Sequence, residues 1–295
     1  MEYENRLVAF IDILGFKEII KNSEQDFDSV KFIFEILEYL KTFERGNSWD
    51  IGFLEIEECV QYKGKNNFDF RSQVRATAFS DSIVVSIPFD NNINEATSFL
   101  ITNLSYIGAI LIEKGILLRG AITYGKLIHN DNGTVLGQGL IEAYQLESSG
   151  AVYPRIILSK KLIDKLNYPI YTRKGEYPYH NYLKRFGDGF VGFTQLIWFQ
   201  VLQSSTDLSA QVLKDKLDVI RKYIVTSLDD VFENNNIYQK YIWLKNEYNS
   251  LCILDDENIT SGDKFVIKKE IIELNKSLKE GNIHYHYTDD FYNKE

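Results

Sequence analysis

Apolar positions along this chain come as short unbroken runs and as helical stripes, and the order of the two predicts its elements. Leu7–Leu14 (LVAFIDIL) is apolar but for Asp12 and closes on Gly15, the length and texture of a strand buried on both faces. Phe16–Lys21 and Asp26–Phe43 read as helices. In the second, Val30, Ile33, Phe34, Ile36, Leu37 and Leu40 recur at helical spacing. Ile51–Tyr62 reads as a strand and Lys63–Asp69 as a loop. Phe70–Phe79 and Ile83–Pro88 are two more strands, separated only by Ser80, Asp81 and Ser82, which describes a tight hairpin with Asp81 at its tip. Ile93–Lys114 is a long amphipathic helix, Leu117–Leu127 a strand, Gly137–Ser149 a helix and Arg155–Leu158 a strand.

This order of strand, helix, strand, strand, helix, strand, with a further helix and strand behind it, predicts an α+β domain with the split βαββαβ core of ferredoxin-like and palm folds. Short strands continue to about Phe193. Beyond that, Leu208–Glu233, Ile237–Cys252 and Lys264–Lys279 read as three helices rich in Lys and Glu. One boundary is therefore expected, near residue 196. Residues 1–195 form the palm domain, and residues 196–295 form a helical extension packed on it.

Composition narrows the class. The 295 residues are 44% hydrophobic and 25% charged, ordinary for a globular protein, with aromatics at 14%. A net charge of −9 argues against bulk nucleic acid as a partner, which calls for a basic face. The two cysteines, Cys59 and Cys252, are too few for a disulfide framework. The N-terminal MEYENRLVAF lacks the charged-then-apolar signature of a signal peptide. No stretch of about 18 uninterrupted apolar residues exists; Phe99–Leu118 is interrupted by Asn103, Ser105, Glu113 and Lys114. A cytoplasmic protein without a membrane partner is expected.

Candidate chemistry centres on Asp12 and Asp81. Singly, Asp12 also suits a cap on the helix at Phe16, and Asp81 a turn residue. A charge inside an apolar strand is costly unless something pairs with it, and the element order makes the first strand and the hairpin neighbours. Both carboxylates then meet on one edge of the sheet. Hard oxygen ligands of this kind suit Mg²⁺ or Mn²⁺, with the backbone carbonyl of Ile13 a natural third ligand. Metals held so activate a 3′-hydroxyl and neutralise a triphosphate.

Three segments resemble the class III adenylate and guanylate cyclase family. Val8–Ile20 (VAFIDILGFKEII) is similar to its first metal-Asp strand, and Ala78–Pro88 (AFSDSIVVSIP) to the hairpin with the second metal Asp. Leu118–Leu127 (LRGAITYGKL), Val135–Gly150 (VLGQGLIEAYQLESSG) and Pro154–Ser159 (PRIILS) are similar to its Arg-x-Gly strand, its Ala-x-Arg-Leu-Glu helix and its closing strand. The resemblance spans roughly residues 6–160 in one collinear order. It implies a class III cyclase palm with Asp12 and Asp81 as metal ligands, Phe16 and Lys17 at the triphosphate, and Arg119 as a further catalytic residue. It also implies a head-to-tail homodimer with shared sites.

The departures matter as much. The family's transition-state Asn and Arg fall at Ile141 and Gln145, neither of which brings charge to the developing phosphorane. Glu142 and Tyr144 share that helix; Glu142 and Gln145 are candidate substrate contacts. The Lys and Asp that read adenine fall near Thr77 and Thr134, two short hydroxyls that do not reproduce that donor–acceptor pair. The interval between Asp12 and Asp81 is lengthened near Asn47–Phe70. A smaller pocket that takes CTP or UTP resembles the antiphage pyrimidine cyclases of the Pycsar type, whose product is a cyclic nucleotide second messenger.

Two rivals stand beside the cyclase reading. One is a dinucleotide-forming palm of the diguanylate cyclase or CRISPR polymerase type, whose hairpin also carries an acidic tip. The other is a catalytically silent nucleotide-binding or dimerisation module. Phe186–Phe193 (FGDGFVGF) reads as a turn before a strand. The histidines at 129, 180, 284 and 286 supply no zinc set, and Gly125–Thr134 lacks the Gly-Lys-Ser/Thr of a P-loop.

Overall fold

The computed structural model describes residues 2–23, 31, 73–167, 182–203 and 210–253. The helix expected over Asp26–Phe43, the strand and loop over Ile51–Asp69, and the last helix over Lys264–Lys279 lie outside the described residues, as do Cys59, His180, His284 and His286. The chain divides into two compact units, Met1–Gly108 with Ile116–Gln195, and Ala109–Gly115 with Leu196–Glu295.

The first unit is mixed α and β. In chain order its described elements are β1 (Glu4–Leu14), α1 (Phe16–Ser23), β2 (Arg75–Phe79), β3 (Ser82–Pro88), most of α2 (Ile93–Glu113) and β4 (Leu117–His129). There follow β5 (Val135–Leu136), α3 (Gln138–Gly150), β6 (Arg155–Leu158), α4 (Lys160–Leu166), β7 (Lys184–Arg185) and β8 (Val191–Thr194). The sheet runs β2-β3-β1-β4-β6-β8-β7, with β5 paired to β4. Apart from the parallel β4–β6 pair, every pairing is antiparallel.

Register sorts the side chains of the central strands. Leu7 lies opposite Ile87 and Ala9 opposite both Val85 and Ile122. Ile11 lies opposite Ile83 and Gly120, and Ile13 opposite Leu118. All of these positions are buried, so this face is a continuous apolar layer. The other face is mixed. Val8 and Val84 pack there with Leu127 and with Ala143 of α3, and at its end Asp12 is flanked by Ser82 and Arg119.

Two close approaches press α3 onto this second face. A Cβ on Gly125 of β4 would lie 2.9 Å from the Cα of Gly139, and one on Gly137, where φ is +142°, would lie 2.4 Å from the Lys126 carbonyl. The Gly-Gln-Gly at the start of α3 thus serves helix–strand contact. The buried stripe of the helix is Gly139, Ala143, Glu147 and Gly150. Tyr144 meets Phe10 edge to face, ring centroids 5.4 Å apart.

At the start of β6, buried Arg155 forms a two-point ion pair with Asp188 and also donates to the Gly150 carbonyl. Its guanidinium lies 4.7 Å from the Phe186 ring centroid. The segment around Phe186–Phe190 is a turn before β8, as its sequence predicts. Gln195 closes the unit, accepting from the Leu118 N–H and donating to the Gly108 and Ile116 carbonyls.

The second unit is helical: the last turn of α2, α5 (Ile197–Gln203), α6 (Ala210–Asp230) and α7 (Asn235–Ile253). Leu213, Leu217, Ile220, Ile224 and Leu228 form the buried stripe of α6. Lys216 pairs with Glu113 at 2.7 Å, and the Tyr223 and Tyr241 hydroxyls are bonded at 2.9 Å. Helix α2 has the length and composition of a membrane span, but 67% of its most apolar window is buried inside the protein. A core helix has the same character.

Candidate active site

Asp12 reaches its position because β1 is the central strand, with β3 on one side and β4 on the other. The cross-strand row is Phe79, Ser82, Asp12 and Arg119. Between Phe79 and Ser82 the hairpin turns in two residues. Ser80 takes a left-handed φ of +56°, a conformation such turns require and non-glycine residues adopt at a cost. The Ile13 N–H donates to the Asp81 carbonyl at 2.9 Å, tying the tip to the strand that bears Asp12. Ser82 therefore belongs to β3 rather than to the turn.

Asp12 is 9% exposed. Its Oδ2 accepts from Arg119 Nε at 2.8 Å, and its Oδ1 meets the Ser82 hydroxyl at a long 3.5 Å. The same Arg119 Nε lies 2.7 Å from Glu147 Oε1. That contact has the distance of an ion pair without hydrogen-bond alignment, and Glu147 Oε1 is buried with no hydrogen-bond partner. Glu147 is 2% exposed, and its other oxygen accepts from Ser148 at 3.0 Å. Burial pushes its carboxyl above the usual range. Arg119 and the Ser148 bond pull it back, and the charges of Asp12 and Asp81 add to the push. Two carboxylates thus share one arginine. Among the described residues, no three or more His, Cys, Asp or Glu side chains converge as a complete metal cage.

The remaining candidates fall into separate places. Phe16 and Lys17 begin α1, just past Asp12, with Lys17 exposed. Glu142 is spent on an ion pair with Lys161. Gln145 is exposed on α3 beside Ile141 and Tyr144, which are 49% and 53% exposed. Thr77 and Thr134 come near each other, since Thr77 Oγ1 lies 3.3 Å from the carbonyl of Gly133, the residue before Thr134. Thr134 itself is exposed and bonded to Asn130 and Asn132.

Thr77 is part of a hydrogen-bonded chain whose centre, Ser86 and His129, is buried. β4 runs on past its expected end at Leu127 and brings His129 over the hairpin. There its Nδ1 meets Ser86 Oγ at 2.8 Å and its Nε2 meets Thr77 Oγ1 at 2.9 Å. Arg6 Nε donates to Ser86 Oγ at 2.8 Å. With a neutral imidazole, one arrangement of protons satisfies every contact: Arg6 to Ser86, Ser86 to Nδ1, Nε2–H to Thr77, and Thr77 to the Gly133 carbonyl. The imidazole is neutral, because burial, with Arg6 and Arg75 nearby, brings its pKa down to about 4.

Sequence reasoning did not single out Glu147 or His129. A helical count from Gly139 through Ala143 reaches Glu147, so its burial was readable from spacing. His129 had no such signal, because its role depends on β4 continuing over the sheet.

No protein-family model matches the chain, and no curated protein matches it in sequence. Fifteen chains of solved structures match. One is the catalytic core of a rhodopsin-guanylyl cyclase with converted specificity, in complex with ATPαS. It is 15% identical, with a TM-score of 0.37, over 65% of this chain and 94% of that chain.

Proposed function

We propose that the first unit is a class III cyclase palm that converts a nucleoside triphosphate, CTP or UTP by preference, to a 3′,5′-cyclic nucleotide and pyrophosphate. The observation that carries this reading is the bond from the Ile13 N–H to the Asp81 carbonyl, which tethers the hairpin tip beside Asp12 on the strand next door. The sheet order β2-β3-β1-β4 also agrees with the βαββαβ core that the sequence predicts.

The donor set suits a hard divalent cation. Two carboxylates and the Ile13 carbonyl are too few for an all-protein cage, which matches the habit of Mg²⁺ and Mn²⁺ to bind one or two carboxylates and complete their shell with water and phosphate oxygens. Bound there, such an ion neutralises triphosphate charge and favours ionisation of the ribose 3′-hydroxyl. The chain's own work is positional. The hairpin and β1 fix the carboxylates, and Lys17 faces solvent just beyond Asp12. Arg119 balances the charge of Asp12. Thr77 and Thr134 stand in place of longer charged readers, and their hydroxyls are engaged by His129, Gly133 and Asn132, so the donor–acceptor pair that reads adenine is not reproduced.

A homodimer fits the exposed apolar side chains Phe79, Leu136, Ile141, Tyr144 and Val152 of the same unit. Release of the cyclic nucleotide as an antiphage signal is part of the same proposal, as is a cytoplasmic location.

The test is incubation with each ribonucleoside triphosphate and Mn²⁺, with products identified by mass and phage lysate tried as activator. A cyclic pyrimidine nucleotide is expected, lost at least a hundredfold in Asp12→Asn and Asp81→Ala, the scale of removing a metal-holding carboxylate. Product that survives Asp81→Ala refutes the site. A second reading, nucleotide binding without turnover, is favoured by the uncharged Ile141 and Gln145; it predicts binding of the metal–nucleotide and no product from any of the four.

A further inference from the structure

We infer that Glu147 is a positioning residue that takes Arg119 off Asp12 when a divalent cation binds. The inference rests on the reading of Asp12 as a metal ligand and goes beyond it, because it assigns a task to a buried carboxylate on α3.

One Nε–H of Arg119 lies within 2.8 Å of Asp12 and 2.7 Å of Glu147, and it can align with only one of them. It aligns with Asp12. Glu147 Oε1 is left buried and without a hydrogen bond, a costly state for a carboxylate that is 2% exposed. An incoming cation competes with Arg119 for Asp12, since two positive groups do not share one carboxylate without repulsion. Glu147 resolves both problems at once. A small rotation of the guanidinium aligns it with Oε1, satisfying the orphaned oxygen and freeing Asp12. Arg119 has room for this, its side chain being 27% exposed. The close approaches of Gly125 and Gly139 hold α3 against β4, so the receiving carboxylate stays in place.

The experiment is calorimetric titration of the full chain with Mn²⁺ alone, on wild type, Glu147→Gln, Arg119→Gln and the double variant, with Asp12→Asn as control and thermal melts alongside. Glu147→Gln is expected to weaken Mn²⁺ binding by about tenfold, because Arg119 has no second carboxylate to move to. Arg119→Gln is expected to tighten it by a similar factor. In the Arg119→Gln background the Glu147→Gln loss should vanish. If that loss persists undiminished, Glu147 acts by its charge alone and the inference is overturned. Equal affinities for wild type and Glu147→Gln also overturn it, while leaving the metal assignment intact. Wild type that does not bind Mn²⁺ overturns the assignment and the inference together. Should Glu147→Gln fail to fold, Arg119→Gln against wild type decides: no tightening refutes the competition.

Discussion

At the scale of single residues, the best-defined group is a histidine held neutral. His129 has both ring nitrogens engaged, and its pKa falls to about 4 from an ordinary 6.5, chiefly by burial and then by the charges of Arg6 and Arg75. In the unfolded chain it titrates near the ordinary value. Between those two pH values the unfolded state therefore takes up a proton that the folded state refuses. Stability contributed by neutral His129 is complete above about pH 7 and is lost as pH falls toward 4, by ~3 kcal/mol at most. Melting temperatures across that window should decline, and His129→Gln should flatten the decline; an unchanged slope in the variant refutes the assignment. Asp12 was legible in the sequence because a charge in an apolar strand is conspicuous, and Asp81 because hairpin spacing frames it. Glu147 is reached only by counting turns from Gly139 and Ala143, small residues whose burial leaves no apolar stripe to prompt the count.

At the scale of elements, the runs and stripes were read well where packing is regular. β1, α2, β4, α3 and β6 fall within a few residues of their expected bounds, because unbroken apolar runs and helical period both follow directly from burial. Helix α4 went unread: seven residues make too few turns for a stripe, and its start depends on Ser159, whose side chain accepts from the Leu162 N–H. The overrun of β4 to His129 was equally hidden, since its reward is a hydrogen-bond chain and not apolar burial. The contact of α3 with β4 carries the element-scale prediction. Gly125→Ala places a methyl 2.9 Å from the Gly139 backbone, which must shift. A loss of about 1–3 kcal/mol is expected by chemical denaturation, together with weaker activity as Glu147 moves away from Arg119. A variant as stable and as active as wild type refutes the claim that this contact sets the site.

At the scale of the molecule, the division into two units does not follow a single cut in sequence. Leu111 and Ile112 in the last turn of α2 are almost fully buried, and Glu113 there pairs with Lys216; all belong with the C-terminal helices. A chain ended after Gln195 strips the second unit from that turn. It is expected to aggregate, or to melt about 2–8 °C lower for a loss of about 1–2 kcal/mol; a monodisperse fragment with an unchanged melting temperature refutes this. The composition shift near residue 196 marks one edge of the division, but the seven residues before Ile116 carry no such mark. The hydrogen-bond chain from Arg6 to Gly133 has a spectroscopic consequence. His129 carries its single proton on Nε2, shielded from water and bonded to the strand that leads into the Ser80–Asp81 turn. Its nitrogen and proton resonances are a natural label inside the hairpin that bears Asp81, one that would report binding at the turn with no probe attached.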